Sequence, residues 1–516
     1  MIHAQMIHRE SEVLIIGSGI SSLTCGLLLA KAGRRVRIVE RHQKAGGYLH
    51  CFERYGHRFD TGGHYVGAVG EGEPFRALLT YLGVWDDRLF LPLADDGFDI
   101  FRFRDFEVRF PRGYDAVVAT LSEQFPDDAQ AVREFFAIIR GAATTFSTYN
   151  FARFSQDDDA VASLLDTSLA TVVNGLTRNP RLQCVLYAHC VLHGVAPGDT
   201  PLGMHALLLD SIIRSPASFR SGGESLAHRF VAALESHGAE VLTGNGVSLL
   251  RTQGGRITEA VLDDGATLGS PLVISGIHPK ATFRLLDGFR PSPAFASRLG
   301  KLEETHGILG IYAACADSLP FARDRNYYFL DWSEPSAFDR LRRGFESGAA
   351  GPLPSCAFVC RPDRDPLAPS QPLFPLSIHA PARYEDFAAW EASAARRKPR
   401  AYYEQKLRAG AESLAYLERC VPGLGRSIVR RDISTPLTNL RFNGSEQGTA
   451  YGIYHAIRNT GARSLGPRTH LENLLLTGQN VLFPGILGAS ISGLRTAGNL
   501  LGIKRILKDL SPMVSL

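Results

Sequence analysis

At 516 residues the chain is long enough to bury a large core and is expected to form two interleaved domains, and its 45% hydrophobic and 21% charged residues are ordinary for a soluble globular protein. A formal net charge of +4 is too near neutral to suggest nucleic-acid binding, and no run reaches the roughly 18 apolar residues that span a bilayer. The eight cysteines include no CxxC pair, so neither a zinc ribbon nor a disulfide framework is indicated and a reducing cytoplasm is the simplest setting. The first ten residues read as a short polar extension without the shape of a signal peptide. Val13 to Ile16 is an apolar run that predicts a buried parallel strand, broken at Gly17-Ser18-Gly19. A helical pattern through Leu23, Leu27 and Leu28 ends at Gly33, and a second apolar run, Val36 to Val39, closes on Glu40. Strand, glycine turn, helix, strand and terminal acid form a dinucleotide-binding βαβ unit. Gly17 permits the tight turn, Gly19 lets a pyrophosphate approach the backbone, and the helix N-terminus offers free N–H groups to the phosphates. Glu40 is placed to accept hydrogen bonds from a ribose and disfavours a 2′-phosphate. Ser22 stands where a third glycine is usual, and Gly26, one turn on, can supply the close helix–strand contact.

Glu73 to Leu82 predicts a short helix, and Phe98 to Phe110 a hairpin around Arg104-Asp105. Pro111 to Asp159 and Ala160 to Arg214 read as mainly helical, with a helix start at Pro126-Asp127-Asp128 and an interruption at Gly194 to Pro201. After Ser221-Gly222-Gly223, a helix to Gly238 is followed by a strand, a turn and a buried Val247, then by strands at Arg256 to Leu262 and Leu272 to Ser275. The proline-rich stretch Pro362 to Pro381 predicts surface loops and edge strands, and Tyr384 to Val421 one charged helix. Leu474 to Gly478 is a strand entering a glycine turn, with Gly485, Gly488 and Gly493 at a helix start that continues from Leu494 to Ile506.

Past Glu40 the chain runs into Gly46-Gly47 and then Phe59-Asp60-Thr61-Gly62-Gly63-His64. A glycine doublet after the ribose acid resembles the flavin amine-oxidase-like superfamily, and this resemblance implies FAD. Three blocks look like the phytoene desaturase, carotenoid isomerase and retinol saturase group: the N-terminal βαβ with its GG, the central SGGESLAHRFVAAL…VLTGNGV…VISGIHP, and the C-terminal LLLTGQNVLFPGILGASISGL. FDTGGHYVG resembles the FDVGIHYIG-type segment of the isomerase and saturase branch, and TGQN resembles the saturase-like TGQD. Ser22 and Asn480 depart from the pattern, the latter standing where an acid is expected.

The resemblance implies an α/β architecture in which a Rossmann-type FAD-binding domain is interleaved with a mixed α+β substrate-binding domain. The FAD-binding domain is expected at 10–90, 216–290 and 441–516, and the substrate domain at 91–215 and 291–440. It implies FAD contacts from Gly17, Gly19, Ser22, Glu40, Arg41, Gly46, Gly47, Gly62, Gly63, His64, Val247, Gly478, Gln479, Asn480, Gly488 and Ala489. The expected activity is desaturation or saturation of carbon–carbon bonds in an elongated apolar polyene, isoprenoid or polyketide, by hydride transfer at flavin N5. A redox-neutral carotenoid-type cis–trans isomerisation, a polyketide-tailoring reductive cyclisation and a non-catalytic lipid carrier are the alternatives. NAD(P)H or a quinone is the expected electron partner, although no second nucleotide site is evident. Peripheral contact with a membrane is expected from the solubility of such substrates.

His64, after the glycines that approach the isoalloxazine, is the catalytic candidate, as donor or proton shuttle. Tyr65 is expected to line the substrate pocket. His189 and His193 have the i, i+4 spacing of helical metal ligands; with no third ligand in a family pattern, no metal is expected, and the helix is read as facing the substrate cavity through His193. Cys356 and Cys360 read as unpaired core cysteines in a strand. Thr435 to Asn439 and Gly448 to Gly452 are either a segment crossing over the flavin or a plain interdomain connection.

Overall fold

The computed structural model describes residues 11–151, 157–316, 319–345, 356–367, 371–393 and 397–515, so the expected N-terminal extension lies outside the described residues. Two sheets organise the molecule. The first has five parallel strands in the order Leu474–Leu476, Leu272–Ser275, Val13–Ile16, Val36–Glu40, Glu240–Thr243. Val13 to Ile16 is central and wholly buried, which is why it reads as an uninterrupted apolar run.

Helix Ile20–Lys31 covers one face of this sheet. It lies close because Gly26 has no side chain: a Cβ there would stand 3.1 Å from both Ile15 Cδ1 and Ile38 Cδ1. The C-terminal helix Ile486–Leu501 packs on the same helix where Gly493 meets Ser21, Thr24 and Cys25. Ser21 Oγ and Thr477 Oγ1, 2.6 Å apart, tie the two segments together. The helix expected to run on to Ile506 is interrupted: Gly502 takes φ 86°, and a second helix, Ile503–Leu510, starts in a new direction.

The second sheet has seven strands, in the order Ile428–Ser434, Gly307–Cys315, Phe374–Ala382, Cys356–Cys360, Asn326–Leu330, Asp99–Arg102, Glu107–Phe110. All pairs are antiparallel except Asn326–Leu330 with Asp99–Arg102. Helices between Tyr114 and Arg214 pack against it, and a phenylalanine-rich core fills the interface.

Here the proline-rich stretch departs from expectation. Phe374–Ala382 is an interior strand, not an edge. Pro375 and Pro381 are tolerated because the neighbour on one side pairs only with Ser377, Ile378 and His379, leaving both prolines outside the doubly bonded segment. The helix expected from Tyr384 to Val421 is two helices, Glu385–Ala388 and Arg400–Cys420, the second beginning immediately after Pro399.

Candidate active site

A cavity of about 630 Å³ opens at the C-terminal ends of the parallel strands and continues between the seven-stranded sheet and the helices. One end is built by the βαβ unit. Gly17, at φ 84°, turns the chain so that helix Ile20–Lys31 starts at the cavity wall. A Cβ on Gly19 or Gly485 would meet nothing within 4 Å, and Gly47 lies against Gly19, its Cβ position 3.3 Å from Gly19 Cα. The glycines therefore frame a slot open to a diphosphate, with the helix N-terminus facing it. Glu40 sits at the strand end, accepting from Ser18 N–H (2.9 Å), Ser18 Oγ–H (2.6 Å) and His42 N–H (2.7 Å). Those bonds fix the carboxylate beside Arg41, Gly246 and Val247 on the same wall. This donor and acceptor set fits the adenosine diphosphate half of a dinucleotide.

Of the residues expected to contact a cofactor, Gly17, Gly19, Glu40, Arg41, Gly46, Gly47, Gly62, Gly63, His64, Val247, Gly478, Gln479, Asn480, Gly488 and Ala489 all line this cavity. Ser22 does not. It is fully buried between its helix and the sheet, where its Oγ occupies the space a Cβ on Gly276 would need. It shapes the contact between helix and sheet. Val247 is half-buried, because one side of it faces the cavity. Thr435 to Asn439 enters a capped helix, Pro436–Asn443, which presents Asn439 to the cavity, and Ala450 to Gly452 line it too.

The other end is aromatic and apolar. Phe358, Leu330, Leu207, Leu208, Ile212 and Phe338 enclose it. His64 stands at the junction, its ring 4.5 Å from that of His379 and 5.3 Å from that of Phe358. Burial, reinforced by His379 and Arg364, holds His64 well below the usual imidazole range, and burial brings His379 down to about 4. Both rings are neutral near pH 7. His379 Nε2 is buried without a hydrogen-bond partner. Cys360 Sγ is 4.0 Å from His64 Nδ1, and Cys356 and Cys360 are free, buried thiols in their strand.

The HCVLH segment is corrected in detail. Ala188–Leu192 is a 3₁₀ helix, so His189 and His193 do not share a face as they would in an α-helix. His189 turns away from the cavity to Asp99, and His193 lines the cavity. His193 meets two residues that the sequence did not connect with it: Cys190, His193 and His205 bring possible ligand atoms within 4.8 Å of one another. Hydrogen bonding accounts for this cluster. Val195 N–H donates to His193 Nδ1 (3.2 Å), which leaves the ring proton on Nε2, 3.2 Å from His205 Nδ1. A metal on His193 Nε2 would force that proton onto Nδ1, against the Val195 donor, and burial pushes the Cys190 thiol up, away from thiolate.

Tyr65 lines the cavity beside Tyr328, and neither hydroxyl is isolated. Tyr65 Oη donates to Asp99 Oδ2 at 2.9 Å and lies 2.9 Å from Tyr328 Oη. Asp99 is fully buried and also meets His189 Nε2 (3.2 Å) and Asn326 Nδ2 (2.8 Å). The parallel register Asp99↔Asn326, Phe101↔Tyr328 sets this up, with the Phe101 and Tyr328 rings stacked at 4.4 Å. Asp99, Tyr328 and His379 carry no motif; the one trace is an acid in the apolar alternation of Phe98 to Phe103.

Comparisons with known proteins agree with this geometry. Residues 15–82 match the family model described as an NAD(P)-binding Rossmann-like domain. All-trans-retinol 13,14-reductase of Homo sapiens is 26% identical over 524 residues, covering 94% of this chain and 85% of the relative. Prolycopene isomerase, chloroplastic, of Arabidopsis thaliana is 23% identical over 524 residues, covering 94% and 82%. Wild-type putrescine oxidase in a putrescine-bound structure superposes with a TM-score of 0.59 at 16% identity, covering 96% of this chain and 99% of that one, so the fold is shared. Among the described residues no helix is long and apolar enough to cross a membrane. The chain is thus similar over nearly its whole length to a retinol reductase and a carotenoid isomerase, and it shares the fold of an amine oxidase around a Rossmann-like nucleotide domain.

Proposed function

We propose that the chain binds FAD along this cavity and acts on carbon–carbon bonds of an elongated apolar polyene, isoprenoid or polyketide. One observation carries the reading: the slot that fits an adenosine diphosphate and the aromatic chamber belong to the same continuous cavity. Gly17, Gly19, Glu40 and Val247 would hold the adenosine half, with Gly478 to Asn480 and Gly488-Ala489 along the remainder. When bound, the flavin supplies hydride exchange at N5. The protein supplies an enclosed chamber whose apolar walls carry a few fixed polar groups, among them the Tyr65 and Tyr328 hydroxyls and the His64 and His379 rings, so substrates are selected chiefly by length and curvature. His64, kept neutral by burial, can donate a hydrogen bond without bringing a charge into the chamber.

The 85% of the human retinol reductase covered by the match supports hydrogenation or dehydrogenation across a carbon–carbon bond. The Arabidopsis relative supports redox-neutral isomerisation as the second reading. NAD(P)H or a quinone would be the electron partner. The free cysteines favour a reducing cytoplasm, and an apolar small-molecule substrate favours peripheral contact with a membrane. Purified protein should show the absorption bands of a bound flavin; a colourless protein that stays colourless after reconstitution with FAD overturns the cofactor. Anaerobic incubation with oxidised or reduced flavin and a panel of polyenes, read by mass, separates the reactions. Loss of two mass units means desaturation, gain means saturation, and unchanged mass with altered retention means isomerisation.

A further inference from the structure

Proton counting in the Tyr65 cluster shows a direction. A phenol has one hydroxyl proton. Tyr65 gives its proton to Asp99 Oδ2, so the proton between Tyr65 and Tyr328 is that of Tyr328. The cavity wall is therefore joined to a fully buried carboxylate by two hydroxyls pointing the same way, Tyr328 to Tyr65 to Asp99. His189 and Asn326 hold the carboxylate in place, and Arg364 donates to Asn326 Oδ1 at 2.5 Å, fixing the amide.

We propose that Tyr328, Tyr65 and Asp99 form a proton wire through which the chamber exchanges one proton with a buried carboxylate. The inference rests on the proposed carbon–carbon chemistry. Dehydrogenation with oxidised flavin as hydride acceptor leaves one proton to be removed. A substrate C–H bond breaks, its electron pair forms the C=C, and the proton goes to Tyr328 Oη. The Tyr328 proton moves to Tyr65, and the Tyr65 proton moves to Asp99 Oδ2, so both phenols end neutral and only the carboxylate changes charge. Hydrogenation with reduced flavin as hydride donor runs the same chain backwards from protonated Asp99. Burial, together with Asp99, pushes the Tyr65 and Tyr328 hydroxyls well above the usual phenol range, so neither phenol rests as an anion. Tyr328 and Tyr65 face the substrate; Asp99 acts through them.

Tyr328→Phe, Tyr65→Phe and Asp99→Asn test this in the flavin-loaded protein. Each should keep its flavin content and lower the proton-coupled rate about 100-fold, the usual size of a lost acid–base group. Carbon labelled at Cζ of tyrosine gives a readout independent of turnover. Asp99→Asn should move the Tyr328 resonance, and a Tyr65→Phe background should cut that response to the smaller, direct electrostatic effect of Asp99 on Tyr328. A Tyr328 resonance indifferent to Asp99→Asn overturns the wire, as does a Tyr328→Phe protein within about twofold of wild-type rate. If wild-type protein holds flavin yet converts no polyene, the proposed chemistry fails while the resonance coupling still decides the wire.

Discussion

The two ends of the cavity are built by opposite means. At the nucleotide end, most of the elements that matter lie in one stretch, from Val13 to Gly47, joined by Gly246, Val247 and Gly485, and the ligand would be met mostly by backbone. At the substrate end, side chains do the work and arrive from far apart: His64, Asp99, His189, Tyr328 and His379 come from five separate segments. A backbone site needs glycines at fixed spacing and leaves a motif. A side-chain site needs a fold, and its residue types are common everywhere else in the chain.

The largest way to break the comparison is Gly17→Val. At φ 84°, with Ile277 Cγ2 2.9 Å from the Cβ position, valine should abolish retention of flavin, measured by absorbance of the purified protein. Next comes acid. Burial lowers His306, His379 and His455 to about 4 from an ordinary value near 6.5. As pH falls below that ordinary value, the unfolded chain binds protons that the folded chain refuses. The stability these neutral imidazoles contribute is therefore full above pH 6.5 and declines until about pH 4. Between pH 7 and 5 each should cost on the order of 2 kcal/mol, read as a falling denaturant midpoint. Substituting one of them by glutamine or asparagine should flatten the slope; an unchanged slope would mean that the imidazole titrates normally.

Leu208→Trp sharpens the contrast from the other side. It fills the apolar chamber and should slow turnover of a long substrate about tenfold, with retained flavin unchanged; parallel loss of flavin would show that the two ends are not separable. The smallest expected effect is Gly502→Ala, where a Cβ meets nothing within 4 Å but the backbone stays at φ 86°. About 1 kcal/mol of stability should be lost by urea titration, without change in flavin content.

Legibility followed the same division. Val13 to Glu40 could be read because periodicity, the glycine turn and the terminal acid are all local signals, and Glu73 to Leu82 and the Phe98 to Phe110 hairpin were readable for the same reason. Ser22 was misplaced because a motif position says nothing about which side of the helix faces a ligand. Phe374–Ala382 was misread because prolines mark an edge only when both neighbours need the N–H, and pairing length is not written in the strand itself. The 3₁₀ geometry of Ala188–Leu192 undid an i, i+4 argument that presumes 3.6 residues per turn. Asp99 and Tyr328 could not be paired in advance, since their juxtaposition depends on a register between strands more than two hundred residues apart in sequence.

The order of the parallel sheet also governs how the chain acquires its shape during synthesis. The central strand, Val13–Ile16, emerges first, its neighbour Leu272–Ser275 follows much later, and Leu474–Leu476 later still. Such distant pairings make folding slow and leave apolar strand edges uncovered while the ribosome works. Helix Ile486–Leu501, which clamps the first helix through Gly493, is later still. A nascent chain is thus committed to waiting: the nucleotide slot takes form only after Leu474–Leu476 and helix Ile486–Leu501 have been released, and cofactor capture becomes a late act of folding.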